Sequence, residues 1–142
     1  MTILLALATL AALQTAPAPA WTWTLYDGEG PLVLAEEIPD SPDLRNTLEC
    51  EAGSGRVSLT LYDASPNSGF VTVRSGPGSA TAQVEPARSG KTDVALRTDL
   101  PVFAAFTASG EMTVALGEQD RRISVGRAHL AKLRRFAERC AG

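Results

Sequence analysis

Two cysteines and one histidine are the residues of this 142-residue chain best suited to redox, metal or nucleophilic chemistry. No C-x-x-C spacing puts a second thiol within short reach of either cysteine. A single histidine cannot complete a zinc ligand set with them. An even cysteine count without such partners reads as a Cys50–Cys140 disulfide formed in an oxidising compartment. Closing a loop of about ninety residues would remove roughly 4–5 kcal/mol of conformational entropy from the unfolded chain. The histidine, His129, falls on a helical wheel with Leu133 and Cys140. A catalytic imidazole needs a nucleophile or an orienting carboxylate, and no spacing supplies either. His129 is therefore expected to be structural, partly buried and hydrogen-bonded.

The carboxylates do not group. Asp27-Gly28-Glu29 and the pair Asp40 and Asp43 lack the alternating ligands and closing Glu of a calcium loop. Glu36 and Glu37, adjacent on an extended segment, point to opposite faces and cannot act as a pair. Gly76-Pro77-Gly78-Ser79 has neither the Lys of a phosphate loop nor a following helix. G-x-S-x-G and H-E-x-x-H are both missing. No catalytic, cofactor-binding or metal-binding residue is assigned, and no cofactor is implied. Trp21 and Trp23 share one face of the first extended segment, where packing is the simpler role and ring stacking on a ligand the alternative.

Charge is unevenly placed. Residues 121–142 carry seven basic side chains and one acid, although the whole chain has a formal net charge of -3. On a helix, Lys132, Arg135 and Arg139 lie three or four residues apart on one face, away from Leu133, Phe136 and Cys140. They are expected to form a solvent-facing basic row for an anionic envelope component or an acidic partner. Such a row can equally complement an acidic sheet within the molecule, and cations are favoured near a helix C-terminus. Nothing points to a nucleic-acid partner.

The elements that must position these residues follow from periodicity. Ile3–Leu13 is an apolar run too short to span a bilayer, and Ala18-Pro19-Ala20 follows it. Residues 1–20 are thus expected to be a secretory signal cleaved after Ala20, leaving residues 21–142 as one domain without a transmembrane segment. From Trp21 to Val125, short alternating runs are separated by Gly, Pro, Asn, Asp and Ser. Strands are predicted near 21–26, 31–37, 45–51, 56–62, 69–74, 80–85, 93–98, 102–107, 111–116 and 121–125, with a hairpin turn at Ala108-Ser109-Gly110. The period then changes. Leu130, Leu133, Phe136, Ala137 and Cys140 predict a helix over about 127–140. The fold class is all-β, mainly an antiparallel sandwich or flattened barrel, closed by one C-terminal α-helix pinned through Cys50–Cys140.

The layout resembles small exported alphaproteobacterial β-domain proteins. The similarity rests on Thr47-Leu48-Glu49-Cys50, the alternating strand after it, the segment Phe103 to Gly110, and the closing Leu133-Arg-Arg-Phe-Ala-Glu-Arg-Cys140. More distantly it is similar to the type VI secretion-associated VasI-like and invasion-associated locus B families. The Cys50 strand also resembles the periplasmic C-type lysozyme-inhibitor family, with Ala108-Ser109-Gly110 at the place of that family's inhibitory loop. These resemblances imply a periplasmic or secreted, non-enzymatic accessory or binding protein of the bacterial envelope. The alternatives are an inhibitor of a cell-wall hydrolase and a hydrolase with a scattered site.

Overall fold

The computed structural model describes residues 20–85 and 89–142. The segment read as a signal lies outside them, save Ala20. Nine strands and two helices follow in order: β1 (Thr22–Tyr26), β2 (Leu32–Glu37), β3 (Leu44–Cys50), β4 (Arg56–Tyr62), β5 (Phe70–Ser75), β6 (Gly78–Gln83), β7 (Lys91–Arg97), α1 (Pro101–Ser109), β8 (Glu111–Ala115), β9 (Asp120–Ser124) and α2 (Leu130–Cys140). A single 3-10 turn, Arg127–His129, leads into α2. One sheet has the order β1-β2-β3-β4-β7 and the other β6-β5-β8-β9. Every strand pairing is antiparallel. The sheets touch through one backbone bridge, Val84 to Val94, so the nine strands form a nearly continuous flattened barrel.

Alternation explains the strands. In β4 and β7, Val57, Leu59, Leu61, Val94 and Leu96 face inward and are buried, while the residues between them face out. The register places Leu25, Leu34, Leu48, Leu59 and Val94 in one row across the five-stranded sheet. The inner face of the other sheet adds Val71, Val73, Met112, Val114 and Ile123 to the same apolar cluster. Each such side chain, once fully buried, contributes about 1.5–3 kcal/mol.

The segment predicted as a strand at 102–107 is instead α1. The local chemistry explains the correction. Leu100 is extended, Pro101 opens the helix, and two alanines, good helix formers, sit at its centre. Gly110, at φ 80, donates its N–H to Phe106 O at 2.7 Å, which ends the helix. Ala108-Ser109-Gly110 is therefore a helix C-terminus and not a hairpin. Val102, Phe103 and Phe106 are buried against β5 and β6. That packing needs Gly78, where a Cβ would stand 2.7 Å from Val102 Cα.

The helix expected over 127–140 is present. Leu133, Phe136 and Cys140 are buried, with Leu130 and Ala137 partly covered. Cys50 and Cys140 are bonded, with Cα atoms 6.0 Å apart. The β3–β4 turn holds the same helix end. Gly53 N donates to Arg139 O at 2.9 Å and Gly55 N to Cys140 O at 2.7 Å, taking up carbonyls that a helix C-terminus leaves unpaired. Both glycines sit at positive φ, 74 and 69, which only glycine adopts without strain.

Candidate functional site

Arg135 and Arg139 of the basic row are exposed and Lys132 is half-buried, and all three also have partners within the molecule. Lys132 Nζ donates to Trp23 O at 2.6 Å. Arg135 Nε lies 3.1 Å from Asp27 Oδ2, and Arg139 Nη1 lies 3.7 Å from the same oxygen. α2 packs along β1 and β2, and the β1–β2 turn carries Asp27. The row thus links the helix to the first strand and the turn after it. Arg135 is still largely exposed, so each pair is worth at most about 1 kcal/mol.

His129 is half-buried where the 3-10 turn meets α2. Its Nδ1 is buried without a hydrogen-bond partner, which corrects the expectation of a hydrogen-bonded ring. The turn places the ring at the α2 N-cap, but the side chain makes no capping bond there. Among the described residues no carboxylate is bonded to it, and no group of His, Cys, Asp or Glu could hold a metal ion.

The polar cluster that sequence reasoning missed lies at one end of the core. Trp23, Glu36, Asn46, Leu61 and Thr92 form one inward-facing row across the five-stranded sheet. Asn46 and Thr92 are fully buried and Glu36 nearly so. Glu36 accepts from Asn46 Nδ2 at 2.7 Å and Arg45 Nη1 at 3.0 Å. Asn46 Oδ1 in turn accepts from Arg121 Nη1 at 3.1 Å. Arg121 comes from β9, in the opposite sheet. Its guanidinium also donates to Arg45 O at 3.1 Å and Tyr62 O at 2.7 Å. Beside it, Trp23 Nε1 donates to Ser124 O at 2.9 Å. The free edges β1 and β9 are therefore joined by side chains, where β6 and β7 are joined by backbone. Arg45 covers this end by lying 4.1 Å over the Trp21 ring. A readable signal existed: Arg121, Ile123 and Val125 share one face of a period-2 run, which puts an arginine among core positions. An inward-pointing charge on an edge strand also blocks edge-to-edge association.

Glu36 and Glu37 do face opposite ways. Glu37 accepts from Tyr26 OH at 2.5 Å on the outer surface, and that hydrogen bond pushes the Tyr26 phenol above its ordinary pKa. Of the two tryptophans, Trp23 is core and Trp21 lies at the rim. Two surface clefts lie apart from this cluster. One, of about 690 Å³, lies beside the end of α2 and is lined by Arg56, Arg97, Thr98 and Asp99. The other, of about 520 Å³, is lined by Arg74, Thr113, Asp120 and Arg122. Comparison with family models, curated proteins and solved structures finds no significant match to any of them.

Proposed function

We propose that this chain is an exported, non-enzymatic binding or accessory protein of the bacterial envelope, periplasmic or secreted. The observation that carries the reading is the Cys50–Cys140 bridge, buried at both ends and fixing α2 to the β3–β4 turn. Structural disulfides persist where thiols are not kept reduced. The apolar run Ile3–Leu13 with Ala18-Pro19-Ala20 provides a matching export signal on sequence grounds. The side chains with most chemical capability support a holding role. Arg121, Asn46, Glu36, Lys132 and Asp27 are all bonded to other parts of the fold.

Ala108-Ser109-Gly110 does not favour the hydrolase-inhibitor reading. A loop that inserts a serine into another protein's cleft must be free to project. Ser109 Oγ instead donates to Ala105 O at 3.0 Å at the end of α1, and Gly110 is buried there.

Mass spectrometry of the protein from its native host tests the proposal. The expected species begins at Trp21, is recovered from the periplasm or medium, and has both cysteines oxidised. An intact Met1 with two free thiols in the cytosol would overturn it.

A further inference from the structure

We propose that the outer face of the four-stranded sheet binds a singly charged oxyanion, a phosphodiester or a carboxylate, between Arg74 and Arg122. The register carries the inference. Ser79 on β6 is opposite Arg74 on β5, Arg74 is opposite Thr113 on β8, and Thr113 is opposite Arg122 on β9. Directly paired residues project from the same face, so these four form one unbroken row across all four strands. Every member carries a hydrogen-bond donor. Neighbouring strands lie about 4.8 Å apart, so the two arginine backbones are about 10 Å apart. Two long side chains can close over an oxygen pair seated above the Thr113 hydroxyl.

These guanidiniums still have capacity to donate. Five other arginines are engaged: Arg45 with Glu36, Arg97 with Asp99, Arg121 with the opposite sheet, and Arg135 and Arg139 with Asp27. Arg74 makes no ion pair among the described residues, although the strand paired with its own, β8, carries Glu111. Arg122 uses Nε on Glu111 Oε2 at 3.3 Å, which leaves its two terminal amino groups for a ligand. Glu111 is further occupied by the Ser124 hydroxyl. The cleft of about 520 Å³ is lined by three members of this row, Arg74, Thr113 and Arg122. A guanidinium presents a planar fork that matches two oxygens of a carboxylate or phosphate.

Asp120 sets the charge limit. It lines the same cleft, one register step from the row and opposite Ala115. With Glu111 it brings the charge of the cleft to zero, so no surplus positive charge is left to favour a polyanion, and the ligand that fits is one whose single charge is met by a guanidinium fork. The larger cleft at Arg56 and Arg97 is a weaker candidate, because its arginines lie beside the carbonyl end of α2, where cations are favoured without any ligand.

Amide chemical-shift titration of the disulfide-bonded protein tests this at constant ionic strength, with dimethyl phosphate, acetate and pyrophosphate as separate probes. Saturable shifts are expected at Arg74, Thr113 and Arg122, from dimethyl phosphate or from acetate. Whichever of the two binds more tightly identifies the oxyanion's source. Pyrophosphate should bind more weakly. Arg74→Gln should weaken binding by about tenfold or more, since it removes a charge-assisted donor. Arg127→Gln, the same charge change on the exposed turn before α2, should leave it unchanged. Absence of saturable shifts with both monoanions overturns the proposal. So does equal weakening in both variants, or a stronger response to pyrophosphate at the same residues.

Discussion

Replacing Arg121 with Ala should open the seam between the two sheets at a cost that its contacts set. The guanidinium makes three good bonds, to Arg45 O and Asn46 Oδ1 at 3.1 Å and to Tyr62 O at 2.7 Å. The contact to Asp63 O at 3.4 Å is too long to add much. At a net 0.5–1.5 kcal/mol per bond, the three are worth roughly 1.5–4.5 kcal/mol. Asn46 is fully buried, so truncation also strands its Oδ1 away from water, which adds about 1 kcal/mol or more. A loss of about 3 kcal/mol is a large share of the roughly 5–15 kcal/mol typical of a domain. For a domain of about 120 residues it lowers the melting temperature by about 12 °C. Urea unfolding followed by tryptophan fluorescence measures it directly, since Trp23 is buried and bonded to Ser124 at the same seam. Arg122→Ala is the control. That side chain is adjacent in sequence but 77% exposed, with one surface pair to Glu111, and its loss should cost at most about 0.5 kcal/mol. Arg121→Lys should recover only a minor part, because one ammonium cannot serve three acceptors as the guanidinium does. If Arg121→Ala and Arg122→Ala unfold within about 0.5 kcal/mol of each other, the seam is not held by Arg121 and the reasoning fails.

Reducing the buried disulfide, or changing both cysteines to Ala, should cost about 4.6 kcal/mol from the ninety-residue separation, read as the difference between oxidised and reduced urea midpoints; a difference below about 1 kcal/mol would refute it. Gly110→Ala should destabilise by more than about 2 kcal/mol, since Gly110 has φ 80 and a Cβ would stand 2.3 Å from Val125 O; thermal melting checks it, and a neutral result would show that the α1–β9 contact is loose. Tyr26 should titrate above the ordinary tyrosine range in absorbance spectra, because ionising its phenol breaks the bond to Glu37. The sign follows: a folded pKa above the unfolded value of about 10 stabilises the protein below that pH, and the contribution fades as pH rises through the folded pKa. Glu37→Gln should remove the upward shift. Asp27→Asn should cost no more than about 1 kcal/mol in urea unfolding, since its partners on α2 are solvent-screened; a larger loss would mean that the helix depends on this clamp.

Most of the strands, the C-terminal helix and the disulfide are legible in the amino-acid pattern alone. The strands are marked by a period of two between turn residues, and the burial of Val57, Leu59 and Leu61 follows from it. The helix is marked by its 3.6-residue spacing and the bridge by an even cysteine count, and both agree because Cys140 lies on the same stripe as Leu133 and Phe136. At α1 periodicity was ambiguous, since a short run apolar on all sides fits a buried strand or a buried helix equally. The deciding signals were Pro101 at its start and Gly110 just past its end.

What the charged residues do depends on long-range folding. Arg121 carries the same formal charge as Arg122, yet one joins two sheets and the other lies on an open face. The row Lys132, Arg135 and Arg139 was visible as a helix face, but its opposition to Asp27 and Trp23 was not. Likewise, the donor row Ser79–Arg74–Thr113–Arg122 exists only through strand register, because its members are separated in the chain and aligned by pairing. Hydrophobic burial and local propensity act between near neighbours and leave a periodic trace in the sequence. The partner of a charge is chosen by which distant strand lies beside it, and that choice leaves no local trace.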